Sequence, residues 1–149
     1  MSASNAFEND CLLLLFNNTN IANLGDATGV RGSTTAGSLF VALHTADHGE
    51  AGNQTTSEIA YTGYARVAVA RSSAGWTVSG TAPTQAANAA AVTFGACTAG
   101  SGVATFFSVG RDTSGTGEIL ASGALTASLS ISAGITPSFA IGQLTVTLD

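Results

Sequence analysis

Apolar residues in this chain fall into short runs separated by Gly, Ser, Thr and Asn, and the runs follow two different periods. Near the start, Phe7, Cys11, Leu14 and Leu15 recur at i, i+4, i+7 and i+8, which is one face of a helix. Ser4 or Asn5 can cap that helix, Glu8 suits the positive end of its dipole, and Asn17-Asn18 should end it. Two uses are open to the stripe: packing on the chain's own sheet, or insertion into a neighbouring subunit.

Beyond the helix the pattern turns to strands. Leu39-Phe40-Val41-Ala42-Leu43 is a short apolar run, and within Tyr61 to Ala70 the residues Ala65, Val67 and Val69 alternate against Tyr64, Arg66 and Ala68. A long polar loop, His44 to Glu58, joins the two. Trp76 and Val78 begin another strand after the turn Ser72 to Gly75, and Ala91-Val92-Thr93-Phe94 alternates again. Val103 to Val109 is apolar on both faces, the mark of a central strand. Glu118 to Leu125 follows a Gly/Ser turn at Asp112 to Gly117, Leu129 and Ile131 alternate with serines, and Leu144 to Leu148 closes the series.

Two stretches predict no strand. Asn17 to Ser38 is punctuated by Gly25, Gly29, Gly32 and Gly37 and reads as an irregular connection, at about 20 residues long for a compact domain. Gly80 to Ala90, an Ala/Thr/Asn tract with Pro83, reads as a surface crossing. The pattern therefore predicts an all-β, single-domain β-sandwich or jelly-roll-like body of about eight strands over residues 38–149. A short helix and an extended arm over residues 1–37 precede it.

Composition narrows the function classes. At 149 residues the chain is long enough for one domain with a real core, yet only 9% of it is charged, against roughly 25% in an ordinary soluble domain. The cations are Arg31, Arg66, Arg71 and Arg111, with no lysine, and the net charge is −5. That balance argues against a sequence-independent grip on nucleic acid or anionic lipid, both of which need clustered positive charge. A surface of Ser, Thr, Gly, Ala and Asn suits packing against other protein. The apolar run Cys11 to Phe16 is too short for a signal peptide and no basic residue precedes it, and no stretch reaches membrane-spanning length. Synthesis in a cytoplasm followed by assembly is the expectation.

Candidate chemistry is sparse. Cys11 and Cys97 lack zinc spacing and read as buried thiols or, failing that, a disulfide. His44, Asp47, His48 and Glu50 include the ligand types of a metal site, but Gly49 and Gly52 speak against the helix that would align the histidines, and Asp47 is better placed to start a turn. Arg66, inside a predicted strand, needs an acidic or carbonyl partner, or else marks a face that meets another chain. Gly115-Thr116-Gly117 lacks the context of a dinucleotide motif, no G-x-S-x-G elbow occurs, and the carboxylates are scattered. The expectation is a protein that is not an enzyme and holds no cofactor.

Several phrases recur in a familiar order: Phe40-Val41-Ala42-Leu43-His44-Thr45-Ala46-Asp47, Gly49-Glu50-Ala51-Gly52, Tyr61-Thr62-Gly63-Tyr64-Ala65-Arg66, Asn88 to Phe94, Ser122-Gly123-Ala124-Leu125, and Phe139 to Val146. In these the chain resembles small virion structural proteins of tailed bacteriophages, described either as capsid decoration (cement) proteins or as tail-fibre proteins. The resemblance implies a non-enzymatic protein present in many copies, foremost a decoration protein on the capsid surface, acting as a homotrimer that clamps the major capsid protein. The alternatives are a tail-fibre or spike component that reads the host through exposed loops, with Trp76, Tyr61 and Tyr64 as the available aromatic platforms, and a tail-tube or head-completion ring protein. On the first reading the contacts with shell or subunit would come from Phe7, Cys11, Leu14 and Leu15 of the helix, from Arg31 in the arm and from Arg66.

Overall fold

Ser4 starts the chain's helix by accepting a hydrogen bond from the Phe7 amide at 3.4 Å, and α1 (Asn5–Asn17) ends where Asn18 turns left-handed at φ 58°. The computed structural model describes residues 3–26, 28–80 and 84–148. Among them the strands are β1 (Ser38–His44), β2 (Val67–Ala70), β3 (Trp76–Ser79), β4 (Thr84–Asn88), β5 (Val92–Thr93), β6 (Ser101–Gly110), β7 (Ile119–Ser132), β8 (Ser138–Phe139) and β9 (Thr145–Leu148). They form three sheets, ordered β2-β1-β6-β7, β3-β4-β9 and β5-β8, with antiparallel pairing. The fold is all-β with one short N-terminal helix.

The chain divides into two compact units, each gathered from distant segments. One draws on Met1–Ser38, Ala70–Ala91 and Ala140–Asp149. Here α1 lies on β3 and β4, turning Leu12 and Phe16 into the core, and the Phe16 and Trp76 rings meet edge to face at 4.8 Å. The helix face that packs is Glu8, Leu12 and Phe16. The expected stripe lies to one side of it, with Phe7 44% and Leu15 42% exposed and Cys11 and Leu14 half-buried, so packing of that stripe on the chain's own sheet is corrected. Phe16 packs against Trp76 at the far end of the helix, and Leu12 and Glu8, four and eight residues before it, share its face.

Gly80 to Ala90 is also corrected, with Pro83 outside the described residues: Thr84–Asn88 is the middle strand of its sheet. Its inward row is Thr84, Ala86 and Asn88, small or polar residues rather than the apolar ones that announce a strand. Asn88 replaces apolar burial with hydrogen bonds. Its Nδ2 donates to the Ala90 and Ala140 carbonyls at 2.8 and 2.9 Å, and its Oδ1 accepts from the Leu144 amide at 2.9 Å.

The other unit draws on Leu39–Val69 and Val92–Phe139. β6 is central, as its two-sided apolar pattern predicts, flanked by β1 and β7. Val41, Ala42, Leu43 and His44 of β1 are fully buried. The run expected as one strand from Tyr61 pairs regularly only from Val67, because Tyr61 to Tyr64 closes a turn in which Gly63, at φ +104°, lies against the Ala96 carbonyl. Two strands expected around Leu125 and Leu129 are instead one, β7, which absorbs its extra residues as a bulge between its pairings Ala104↔Leu129 and Phe106↔Ala124. Rings of Tyr61, Tyr64, Phe94, Phe139 and Phe107 follow one another at centroid distances of 5.4, 6.0, 6.1 and 6.5 Å. This row is the aromatic spine of the unit.

Candidate functional surface

A largely buried polar cluster is built where the long loop after β1 returns. Glu58 ends that loop, and its carboxylate takes Arg66 side-on, Nε to Oε1 and Nη2 to Oε2, both at 2.8 Å. The Arg66 guanidinium goes on to the carbonyls of Asp112 at 3.0 Å and Gly115 at 2.8 Å. One buried cation thus ties the loop end to the β6–β7 turn. Tyr64 completes the cluster: its hydroxyl donates to Glu58 Oε1 at 2.9 Å and accepts from the Leu43 amide at 3.1 Å. Burial pushes the Tyr64 phenol well above its ordinary range, and the Glu58 carboxylate holds Arg66 firmly charged.

Gln54 performs the same joining with a neutral side chain. Fully buried, its Oε1 accepts from the Asp112 amide at 3.0 Å, while its backbone N–H donates to the Gly117 carbonyl at 2.9 Å. A Cβ at Gly110 would fall 2.2 Å from the Gln54 amide carbon, so the glycine lets the side chain lie on the strand. Two turns are thereby fastened together without exposed charge.

The four metal-type residues after β1 do not converge. His44 points into the core, with Nδ1 2.9 Å from the Thr56 carbonyl and Nε2 2.8 Å from Ser108 Oγ, and burial lowers its proton affinity. Asp47 starts a turn, its Oδ1 accepting from the Gly49 amide at 2.9 Å, as the sequence predicts. Among the described residues no three His, Cys, Asp or Glu side chains gather to hold a metal ion. Cys11 and Cys97 are free thiols.

Two open hollows mark the surface of this unit. One, of about 480 Å³, lies between Asp47–Gly52 and Ile119–Ser122; another, of about 700 Å³, lies beside Glu58, Tyr61 and Tyr64. Of the predicted contact residues, Phe7 and Leu15 are exposed, Cys11 and Leu14 half-buried, and Arg31 exposed. Arg66 takes the first of its two predicted roles, with both an acid and carbonyls as partners and its side chain only 3% exposed. Trp76 and Tyr61, two of the aromatic platforms, are buried.

Sequence reasoning missed Glu58, Gln54 and Asn88. Glu58 carried a signal, since it is the acid nearest before an in-strand arginine; Gln54 and Asn88 carried none, because a neutral amide in an Asn/Thr/Gln-rich chain is not distinguishable from a solvated one. Arg71 was counted as a charge and proves to be a cap: its Nε donates to the Leu15 carbonyl at 2.7 Å and its Nη2 to that of Leu14, supplying the cation that the last turn of α1 lacks.

A search of curated proteins gives no match to this chain. The sequence profile of a protein family described as Podophage GP4 fiber I protein gp80 matches residues 2–147. With nearly every described residue inside that match, the chain belongs to the podophage GP4 fiber I protein gp80 family, a family of phage virion structural proteins.

Proposed function

We propose that the chain is a non-enzymatic structural subunit of a podophage fibre, assembled with further copies of itself in the virion. The observation that carries this reading is the family's description as a fibre protein over residues 2–147. It moves the emphasis from the capsid shell, where the resemblance first pointed, to the tail. The buried polar cluster supports a structural part: Arg66, Glu58 and Tyr64 spend their donors and acceptors inside the fold, and Gln54 Oε1 accepts there too. The aromatics also face inward, since Trp76 and Tyr61 are core residues rather than open saccharide platforms. A surface poor in charge suits close packing of copies, and a homotrimer is the assembly we carry forward.

The test is the copy number per particle, from quantitative mass spectrometry of purified virions against the major capsid protein. The fibre reading expects a few to a few tens of copies, and antibody gold on the tail. Hundreds of copies, with gold over the head, would overturn it and restore the decoration reading with the major capsid protein as partner. Sedimentation of the purified chain gives the oligomer order.

A further inference from the structure

β7, at 14 residues, forms one edge of its sheet and pairs on a single side, with β6. Between Leu120 and Ile131, over roughly 40 Å, the backbone groups on its other side have no strand partner among the described residues. Such an edge is a template for another strand, and soluble proteins blunt theirs with charge, proline or a short strand. β7 has none of these: Ile119 to Ser132 holds no Asp, Glu, Lys, Arg or Pro. Its register against β6 shifts near Ile119 and between Ala124 and Leu129, which bends the edge without covering it and leaves two straight lengths, 121–124 and 129–132. The start of the edge, 119–122, lines the open hollow of about 480 Å³, so space stands beside it.

What adds to this edge must bring an unpaired strand of its own and no charge, since β7 offers none to match, and a second β7 has both properties. Exposed apolar side chains supply the direction. Leu120 stands at one end of the edge, and at the other stand Ile135 and Val103, the β6 residue that pairs with Ser130. A copy laid antiparallel turns the Leu120 of each chain toward the end of the other that carries Val103 and Ile135. The same complementary contact then forms twice about one axis.

We propose that the free edge of β7 is a two-fold interface between copies of this chain, in which β7 pairs antiparallel with β7 of a second copy about an axis at Thr126. That centre lays the straight length before the bulge in one copy along the straight length after it in the other. Ser122 then lies opposite Ser130 and Gly123 opposite Leu129, each pair on one face of the continued sheet. The half-buried Leu125 and Leu129, at the margin of the sheet in the single chain, gain a neighbouring strand. A three-fold assembly uses other surfaces, and the β7 contact joins such assemblies in pairs. The interface rests on the reading that copies of the chain pack together, and it holds for a fibre or a shell.

Charges placed on the Ser122 and Ser130 pair test the contact in the full chain. Ser122→Lys with Ser130→Lys sets like charges opposite each other on both sides of the axis, while Ser122→Lys with Ser130→Glu sets opposite charges there. Sedimentation of the parent should give an even number of chains; the first variant should fall to about half that mass, and the second should keep it. Circular dichroism should be the same for all three, since both serines are exposed. In amide exchange, alternate amides of 121–124 and 129–132, those turned away from β6, should be protected in the parent and exchange about tenfold faster or more in the first variant. Variants of equal mass would overturn the β7 contact and leave self-assembly by another surface standing. A parent that sediments as one chain or as a lone trimer would overturn it as well, while the copy number per virion still decides between fibre and shell.

Discussion

Arg66 and Glu58 face each other through two parallel hydrogen bonds of 2.8 Å, with the arginine side chain 3% and the glutamate side chain 16% exposed. A pair this buried is costly to break from one side, because the survivor keeps its charge and loses its partner. Arg66→Ala is expected to lower unfolding free energy by about 3–5 kcal/mol in urea titrations. Arg66→Lys should recover little, since an ammonium cannot span both carboxylate oxygens and two carbonyls. A loss below about 1 kcal/mol for Arg66→Ala would mean the pair behaves as a surface ion pair.

The helix separates core from surface within one turn. Phe16 packs on Trp76, whereas Phe7 and Leu15 look outward. Phe16→Ala should cost about 3–5 kcal/mol and Phe7→Ala within about 0.5 kcal/mol in the isolated chain. Leu15→Asp should leave the thermal midpoint of the free chain nearly unchanged and lower incorporation into virions. Equal loss of midpoint and incorporation would place Leu15 in the core instead.

What the sequence made legible was the part of the fold written in apolar side chains. Leu39 to Leu43 and Val103 to Val109 predicted β1 and β6 because both carry bulky residues on both faces, and Leu144 to Leu148 predicted β9 by alternation. The strand at Thr84–Asn88 was illegible for the opposite reason: Trp76 and Phe16 supply the bulk, leaving room only for Thr, Ala and Asn on its inner row. The helix register failed similarly, since four apolar residues at helical spacing outvoted Leu12 and Phe16, and spacing does not say which face meets a sheet. At the polar cluster, Arg66 announced its need for partners, but Tyr64 and Gln54 depend on contacts across the fold that local pattern does not carry.

Asn88 offers a second test of buried polarity. Its side chain holds the Ala90 and Ala140 carbonyls and the Leu144 amide. Asn88→Ala should cost about 2–4 kcal/mol by taking a partner from each of those groups, although the Ala140 carbonyl keeps the Gln143 amide. Asn88→Asp retains the acceptor for Leu144 but sets a carboxylate against two carbonyl oxygens, so its loss should be larger at neutral pH and shrink in acid, where a protonated carboxyl donates again. Chemical denaturation at the two pH values reads the difference, and equal losses would argue against the donor role.

Tyr64 and Tyr61 are the chain's only tyrosines, which makes its alkaline behaviour readable from tyrosinate absorbance. Burial pushes both phenols above the ordinary value of 10.0, and for Tyr64 a phenolate would also face the Glu58 carboxylate to which the hydroxyl now donates. A phenol whose folded pKa is raised stabilises the fold below the unfolded value, and that contribution drains away as pH rises past it. Little tyrosinate should therefore form in the intact protein near pH 10, and the signal should rise together with loss of β circular dichroism. Tyr64→Phe removes the ionisable group but strands Glu58 Oε1 and the Leu43 amide of one partner each. It should lower stability at neutral pH by about 1–2 kcal/mol and flatten the alkaline decline. Smooth ionisation of both phenols around pH 10 with the sheets intact would show that neither hydroxyl is held as the structure has it.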